Sequence, residues 1–138
     1  MTLAVLALAI LAPVLRTVGL GTTSRLIYQL EGNICHQEPG RCIRIGSAPA
    51  ALCSRCVGAY LGFLLSSLLF SVRFRPGRRV RFTIGLIALA GLVDTIFHLT
   101  GLYDTPNLYR LISGLALGAG LGMLVFRFIS ETETTVSR

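Results

Sequence analysis

The chain has 138 residues, of which 53% are hydrophobic and only 14% are charged. A soluble domain contains roughly 25% charged residues, and a disordered chain has few apolar residues and high charge. The composition therefore excludes both classes and indicates a single domain that lies in lipid. The net charge of +7 comes from 13 arginines against 6 acidic residues. Because arginines placed between apolar stretches set membrane orientation, this charge does not predict a nucleic-acid partner.

Four stretches are apolar over about 20 residues, the length that crosses a bilayer. The predicted helices cover residues 2–20, 48–72, 82–103 and 108–129. The sequence thus predicts an all-α fold, an integral membrane bundle of four transmembrane helices that fills residues 1–129. A long outer loop joins helices 1 and 2, and a polar cytoplasmic tail follows at 130–138. We expect helix 1 to be retained, because no positive charge precedes Arg16 as it would in a secretory signal.

The arginines predict how these helices are oriented. Residues 73–81 contain five arginines and residues 100–107 contain none, so the positive-inside rule puts the former loop in the cytoplasm. Both termini are then cytoplasmic in a multi-pass protein of the cell (plasma) membrane. The first loop, residues 21–47, lies outside although it contains Arg25, Arg41 and Arg44. We expect these three arginines to serve a site.

Small residues recur at every fourth position on two of the predicted helices. They are Gly58, Gly62 and Ser66 on helix 2, and Gly114, Gly118 and Gly122 on helix 4. In lipid, helices associate where small residues let backbones approach closely. These faces predict tight packing against neighbouring helices, and they could also join copies of the chain into a homo-oligomer within the lipid bilayer.

The predicted topology gathers the unusual polar residues at the outer face of the membrane. They are Cys35, His36, Gln37, Arg41, Cys42, Cys53, Arg55, Cys56, Tyr60, Asp94, His98, Asp104, Asn107 and Arg110. Ionisable residues inside a membrane are costly and mark functional sites. Cys53 and Cys56 would share a face near the positive end of helix 2, with Arg55 between them. Both influences lower the pKa of a thiol.

The same residues resemble a known family. The run Cys35-His36-Gln37, then Arg41, then C-x-R-C-x-G-x-Y-x-G from Cys53 to Gly62 is similar to the pattern of small prokaryotic membrane proteins called domain of unknown function 2085. Asp94 and the N-x-x-R that begins at Asn107 match its later positions. The resemblance covers about residues 34–122 and implies the membrane architecture and the importance of the polar residues, but no activity. The family usually has a small polar residue where this chain has Cys42.

Two functions fit the cysteines. Cys35, His36, Cys53 and Cys56 offer three sulfurs and one nitrogen, a set that suits tetrahedral zinc and also admits copper(I) or iron. The second shell or surrounding polar cluster would contain Gln37, Arg41, Arg55, Tyr60, Asp94, His98, Asp104, Asn107 and Arg110. We expect a transition-metal site, with zinc as the first candidate.

The alternative is thiol–disulfide exchange. The pair Cys53/Cys56 on a helix and the pair Cys35/Cys42 in an outer loop have the layout of the DsbB and vitamin K epoxide reductase families, in which electrons pass to a quinone. This layout needs Cys42, which the pattern of the resembled family lacks. A channel or transporter, with Asp94, His98 and Arg110 lining a polar cavity, ranks third. No hydrolase or nucleotide-binding motif is present, so whether the protein is an enzyme stays open.

Overall fold

The computed structural model describes residues 2–71, 77–99 and 106–136. In this part of the chain there are five α-helices, one short 3₁₀ helix and one hairpin of two strands. In chain order they are α1 (Thr2–Thr17), α2 (Gly21–Gly32), a short 3₁₀ helix (Pro39–Arg41), β1 (Cys42–Ile45), β2 (Ala48–Cys53), α3 (Ser54–Ser71), α4 (Arg78–Leu99) and α5 (Asn107–Val136).

Helices α1 and α2 pack against each other and are joined by a short connection at residues 18–20. Gly19, at φ +89°, occupies a conformation that other residues rarely adopt, and the chain reverses there. On α2 the buried residues are Ser24, Ile27 and Glu31, which lie on one helical face. Ser24 donates a hydrogen bond of 2.7 Å to the carbonyl oxygen of Ala12 on α1. The inward face of α2 is therefore anchored to α1.

The hairpin supplies the centre of the core. β1 and β2 pair antiparallel, with Cys42 opposite Cys53 and Ile45 opposite Ala48. The intervening turn begins at Gly46, whose φ of +62° suits a two-residue hairpin turn. Four of the six residues of β2 are buried, and Leu52 is fully enclosed. β2 packs beneath α1 on one side and leads directly into α3.

The two most closely packed helices are α3 and α5. A Cβ atom added at Gly58, Gly62, Gly114 or Gly118 would lie closer than 3.0 Å to backbone atoms of the other helix. We call these four residues the glycine seam. Only glycine permits this backbone approach, which is the packing that the repeated small residues predict. In this structure the seam joins two helices of one chain, and the homo-oligomer stays a prediction.

The predicted all-α bundle of four transmembrane helices is wrong. Only α5, over Asn107–Phe126, is both long and apolar enough to cross a membrane among the helices in the described residues, with a mean hydropathy of 1.6 over 20 residues. The apolar stretches Thr2–Thr17, Ser54–Phe70 and Gly85–Phe97 are shorter. The chain also contains a two-stranded sheet.

The error has a physical source. Residues 48–53, with the sequence APAALC, are apolar because they form a buried strand, and hydropathy does not distinguish such a strand from the start of a helix. The predicted outer loop at 21–47 instead contains α2, the 3₁₀ helix and β1. α5 also extends to Val136, into the segment that the sequence predicts to be a polar tail.

Candidate metal centre

Three cysteine sulfurs lie together where β2 meets α3. The Sγ atoms of Cys35, Cys53 and Cys56 are all within 4.8 Å of one another, and we call them the cysteine cluster. Cys35 follows α2, Cys53 ends β2, and Cys56 lies in the first turn of α3. A tetrahedral zinc ion with Zn–S bonds of 2.3 Å separates its sulfurs by about 3.8 Å. A small closure of the cluster would therefore suffice to bind such an ion.

Gln37 holds the segment that contains Cys35. Its Nε2 atom donates hydrogen bonds to the carbonyl oxygens of Tyr28 at 2.7 Å and Ala51 at 2.9 Å. Gln37 also has a φ of +49°, an uncommon backbone conformation for a residue other than glycine. The two hydrogen bonds connect α2 with β2 and keep the chain in this conformation. Gln37 thereby positions Cys35 against the end of β2.

Two further hydrogen bonds fasten the 3₁₀ helix beside the cysteine cluster. The hydroxyl of Ser54 donates to the carbonyl oxygen of Arg41 at 3.0 Å. The side-chain amide of Asn107 donates to the carbonyl oxygen of Gly40 at 3.4 Å. Because Ser54 begins α3 and Asn107 begins α5, the starts of both helices lie next to the segment that contains Cys35.

The cysteine cluster favours one ionised sulfur. The thiols of Cys53 and Cys56 donate hydrogen bonds to the Cys35 sulfur, and these bonds hold the pKa of Cys35 well below its usual range although burial opposes this change. The backbone N–H of Cys53 also donates to the Cys35 sulfur, at 3.2 Å. The pKa of Cys53 is raised, chiefly by its hydrogen bond to Cys35. The thiolate is the form of cysteine that binds metals, so one ligand is ready for an ion.

Two of the predicted site residues lie outside this group of sulfurs. His36 is exposed, and its ring nitrogens are not among the ligand atoms within 4.8 Å of one another. Cys42 is buried, which raises the pKa of its thiol to about 12, and it lies opposite Cys53 in the sheet. Its sulfur is not in the group either, and all four cysteines are free thiols.

The remaining predicted residues are distributed around the cluster. Tyr60 packs against the core that contains Cys35. Arg41 and Arg55 are half-buried, and Arg110 is only 4% exposed. Arg110 precedes Gly114 by one turn of α5, and Gly114 lies against the carbonyl group of Arg55. Arg110 is therefore on the face of α5 that meets the start of α3.

The side chains of three acidic or basic residues of the predicted polar cluster lie outside the described part of the structure. Asp94 and His98 belong to α4, but their side chains lie outside the described part of the structure. Asp104 lies outside the described residues altogether.

One residue beside the cysteine cluster was not predicted. Glu31 is only 2% exposed, on the inward face of α2. The signal was present in the sequence, because Ile27 and Glu31 are four positions apart and share a face of any helix. The prediction missed Glu31 because residues 21–47 were interpreted as a loop.

The described part of the chain is mainly helical, with one helix long and apolar enough to cross a membrane and three cysteines that could hold a metal ion. The chain belongs to the family described as "Predicted membrane protein (DUF2085)", whose model matches residues 35–124. This confirms the resemblance, and the matched segment begins at Cys35. No solved structure matches the chain.

Two relatives are each similar over about two thirds of the chain. An uncharacterized protein of Methanothermobacter thermautotrophicus is 31% identical over 94 residues, which cover 66% of this chain and 83% of the relative. An uncharacterized protein of Methanocaldococcus jannaschii is 32% identical over 97 residues, which cover 67% of this chain and 61% of the relative. The match therefore spans less than two thirds of the second protein.

Proposed function

We propose that this protein binds a thiophilic transition metal ion, zinc in the first place, through Cys35, Cys53 and Cys56 in the cell membrane. The observation that supports the proposal is the convergence, within 4.8 Å, of three sulfurs from the segment after α2, the end of β2 and the first turn of α3. Free cysteines that merely fill a core have no reason to meet in this way. Thiolate ligands suit zinc, copper(I) and iron rather than magnesium or calcium.

The bound ion would join parts of the chain that are distant in sequence. It would connect the segment after α2 to the corner between β2 and α3. Three protein ligands leave a fourth position, which zinc fills with a further side chain in a structural site or with water in a catalytic one.

Metal analysis of cysteine variants tests this proposal. The full chain is purified in mild detergent without reductant, and metal content and free thiols are measured on the same sample. We expect about one ion per chain in the parent, and large losses in Cys35→Ser, Cys53→Ser and Cys56→Ser alike, because each variant removes one ligand of a single site. Cys42→Ser is the matched control, since Cys42 is buried nearby but its sulfur is outside the cluster.

Two results would overturn the proposal. Equal metal content in the parent and in the three cluster variants would show that these sulfurs are not ligands. Recovery of the cysteines as disulfides without metal would instead indicate thiol–disulfide exchange, and quinone reduction would then be the activity to assay.

A further inference from the structure

The carboxyl group of Glu31 is enclosed within the protein beside the cysteine cluster. The residue is 2% exposed, and its Oε2 atom is buried with no hydrogen-bond partner among the described residues. Transfer of an unpaired carboxylate from water into a protein interior has a large free-energy cost, and buried charges are usually paired or coordinate metals. A partner for this oxygen is therefore expected.

The backbone places Glu31 directly before the cluster. The carbonyl oxygen of Glu31 accepts a hydrogen bond from the backbone N–H of Cys35 at 3.0 Å, so the two residues are one turn apart at the end of α2. The Glu31 carboxyl group interacts electrostatically with the thiol of Cys35 and with Tyr60, which packs against the same core. The unsatisfied oxygen and the three sulfurs thus lie in one region of the core.

We propose that Glu31 is the fourth ligand of the metal ion, which would complete a site of three cysteines and one glutamate. This inference rests on the proposed function. The carboxylate oxygens are not among the ligand atoms within 4.8 Å of one another, so the proposal requires the side chain to rotate towards the sulfurs when the ion binds. A glutamate is flexible enough for this movement, and its oxygen would gain the partner that it otherwise lacks.

A carboxylate ligand also affects which ion the site selects. Three thiolates alone suit copper(I), whereas an added oxygen ligand and a tetrahedral arrangement favour zinc. Zn–O bonds to glutamate are about as short as Zn–N bonds to histidine. Glu31 would therefore occupy the position that the sequence assigns to the exposed His36.

Cobalt(II) and zinc titrations of the full chain in detergent test the role of Glu31. The parent is compared with Glu31→Gln and with the control Glu38→Gln, which alters an exposed glutamate of the same segment. We expect Glu31→Gln to weaken binding by at least about 10–100-fold, the loss typical of an outer-shell partner of a metal ligand, and to shift the visible ligand-field bands of cobalt(II). The sulfur-to-cobalt charge-transfer absorption should persist, because all three thiolates remain. Glu38→Gln should behave as the parent.

Infrared difference spectroscopy gives a second readout, which observes the carboxylate in the parent itself. Zinc binding should shift a carboxylate stretching band, and the shift should be absent in Glu31→Gln and present in Glu38→Gln. If the parent binds metal but Glu31→Gln has the same affinity and the same cobalt spectrum, Glu31 is not a ligand and the three-cysteine site stands. If the parent binds neither ion, the proposed function fails together with this inference.

Discussion

The affinity of the cysteine cluster for zinc should rise about 100-fold per pH unit between about pH 6 and pH 8. The Cys35 sulfur accepts hydrogen bonds from the thiols of Cys53 and Cys56, which hold the pKa of Cys35 well below its usual range, so we expect Cys35 to be the one thiolate of the metal-free cluster. Binding of one ion as three thiolates therefore displaces two protons. Each displaced proton makes the apparent dissociation constant fall tenfold per pH unit.

The measurement is a set of competition titrations with a chelator of known proton affinity, at several pH values and constant ionic strength. The slope of the logarithm of the dissociation constant against pH gives the number of protons released. The same titrations on Glu31→Gln remove any contribution of that carboxyl group, whose pKa is raised by burial and by Cys35. Cys42→Ser should leave the slope unchanged, because its thiol is not among the proposed ligands.

The slope distinguishes the possible protonation states. A value near two in Glu31→Gln supports a cluster of one thiolate and two thiols. A value near three would mean that Cys35 is protonated as well. This would contradict the three hydrogen bonds that its sulfur accepts, from the two thiols of Cys53 and Cys56 and from the backbone N–H of Cys53. A slope near zero would refute the use of these cysteines as ligands.

Three further predictions concern stability. Gly118→Ala should lower the free energy of unfolding by about 2 kcal/mol, because its Cβ would meet the backbone of α3. The control Gly85→Ala has open space around it and should be neutral or stabilising by up to about 1 kcal/mol. Equal effects of the two variants on unfolding measured in detergent would contradict the close approach of α3 and α5. Gln37→Ala should cost about 2 kcal/mol through its two lost hydrogen bonds and weaken zinc binding as well, so an unchanged zinc affinity would show that it does not position Cys35. In the absence of metal, Glu31→Gln should stabilise the protein by about 1 kcal/mol at neutral pH. Burial raises the folded-state pKa of Glu31 above 4.5, so the parent loses stability as the pH rises through that pKa and the carboxyl group ionises. The higher stability of Glu31→Gln should therefore vanish in acid. If the variant were more stable than the parent at all pH values, ionisation of Glu31 would not be the cause.

The cysteines could be predicted from the sequence because their signal is local. Cys53 and Cys56 are three residues apart and Cys35 belongs to a recognisable tripeptide, so no knowledge of the fold was needed to group them. The glycine seam was equally accessible, since its members repeat at the helical period. Both features depend on spacing within a short stretch of chain.

The backbone around the cysteines could not be predicted in the same way. Periodicity cannot distinguish a short buried apolar strand from a helix, so residues 48–53 were assigned to a helix. Once that strand was missed, its partner β1 and the helix α2 were hidden in an apparent loop. The exposed His36 then seemed the natural fourth ligand, and Glu31 was overlooked because its burial depends on α2 packing against α1.

The strand matters for the chemistry of the cluster, because it frees backbone groups that a helix would use. In a helix that began at residue 48, the N–H of Cys53 would donate to the carbonyl oxygen of Pro49. In the structure that carbonyl accepts a hydrogen bond from the hydroxyl of Tyr28, and the N–H of Cys53 donates to the sulfur of Cys35. The helix begins only at Ser54, immediately after Cys53. The change from strand to helix between Cys53 and Ser54 therefore adds a backbone donor to the two thiols that favour a thiolate at Cys35, and a helix continued through this point would remove that donor.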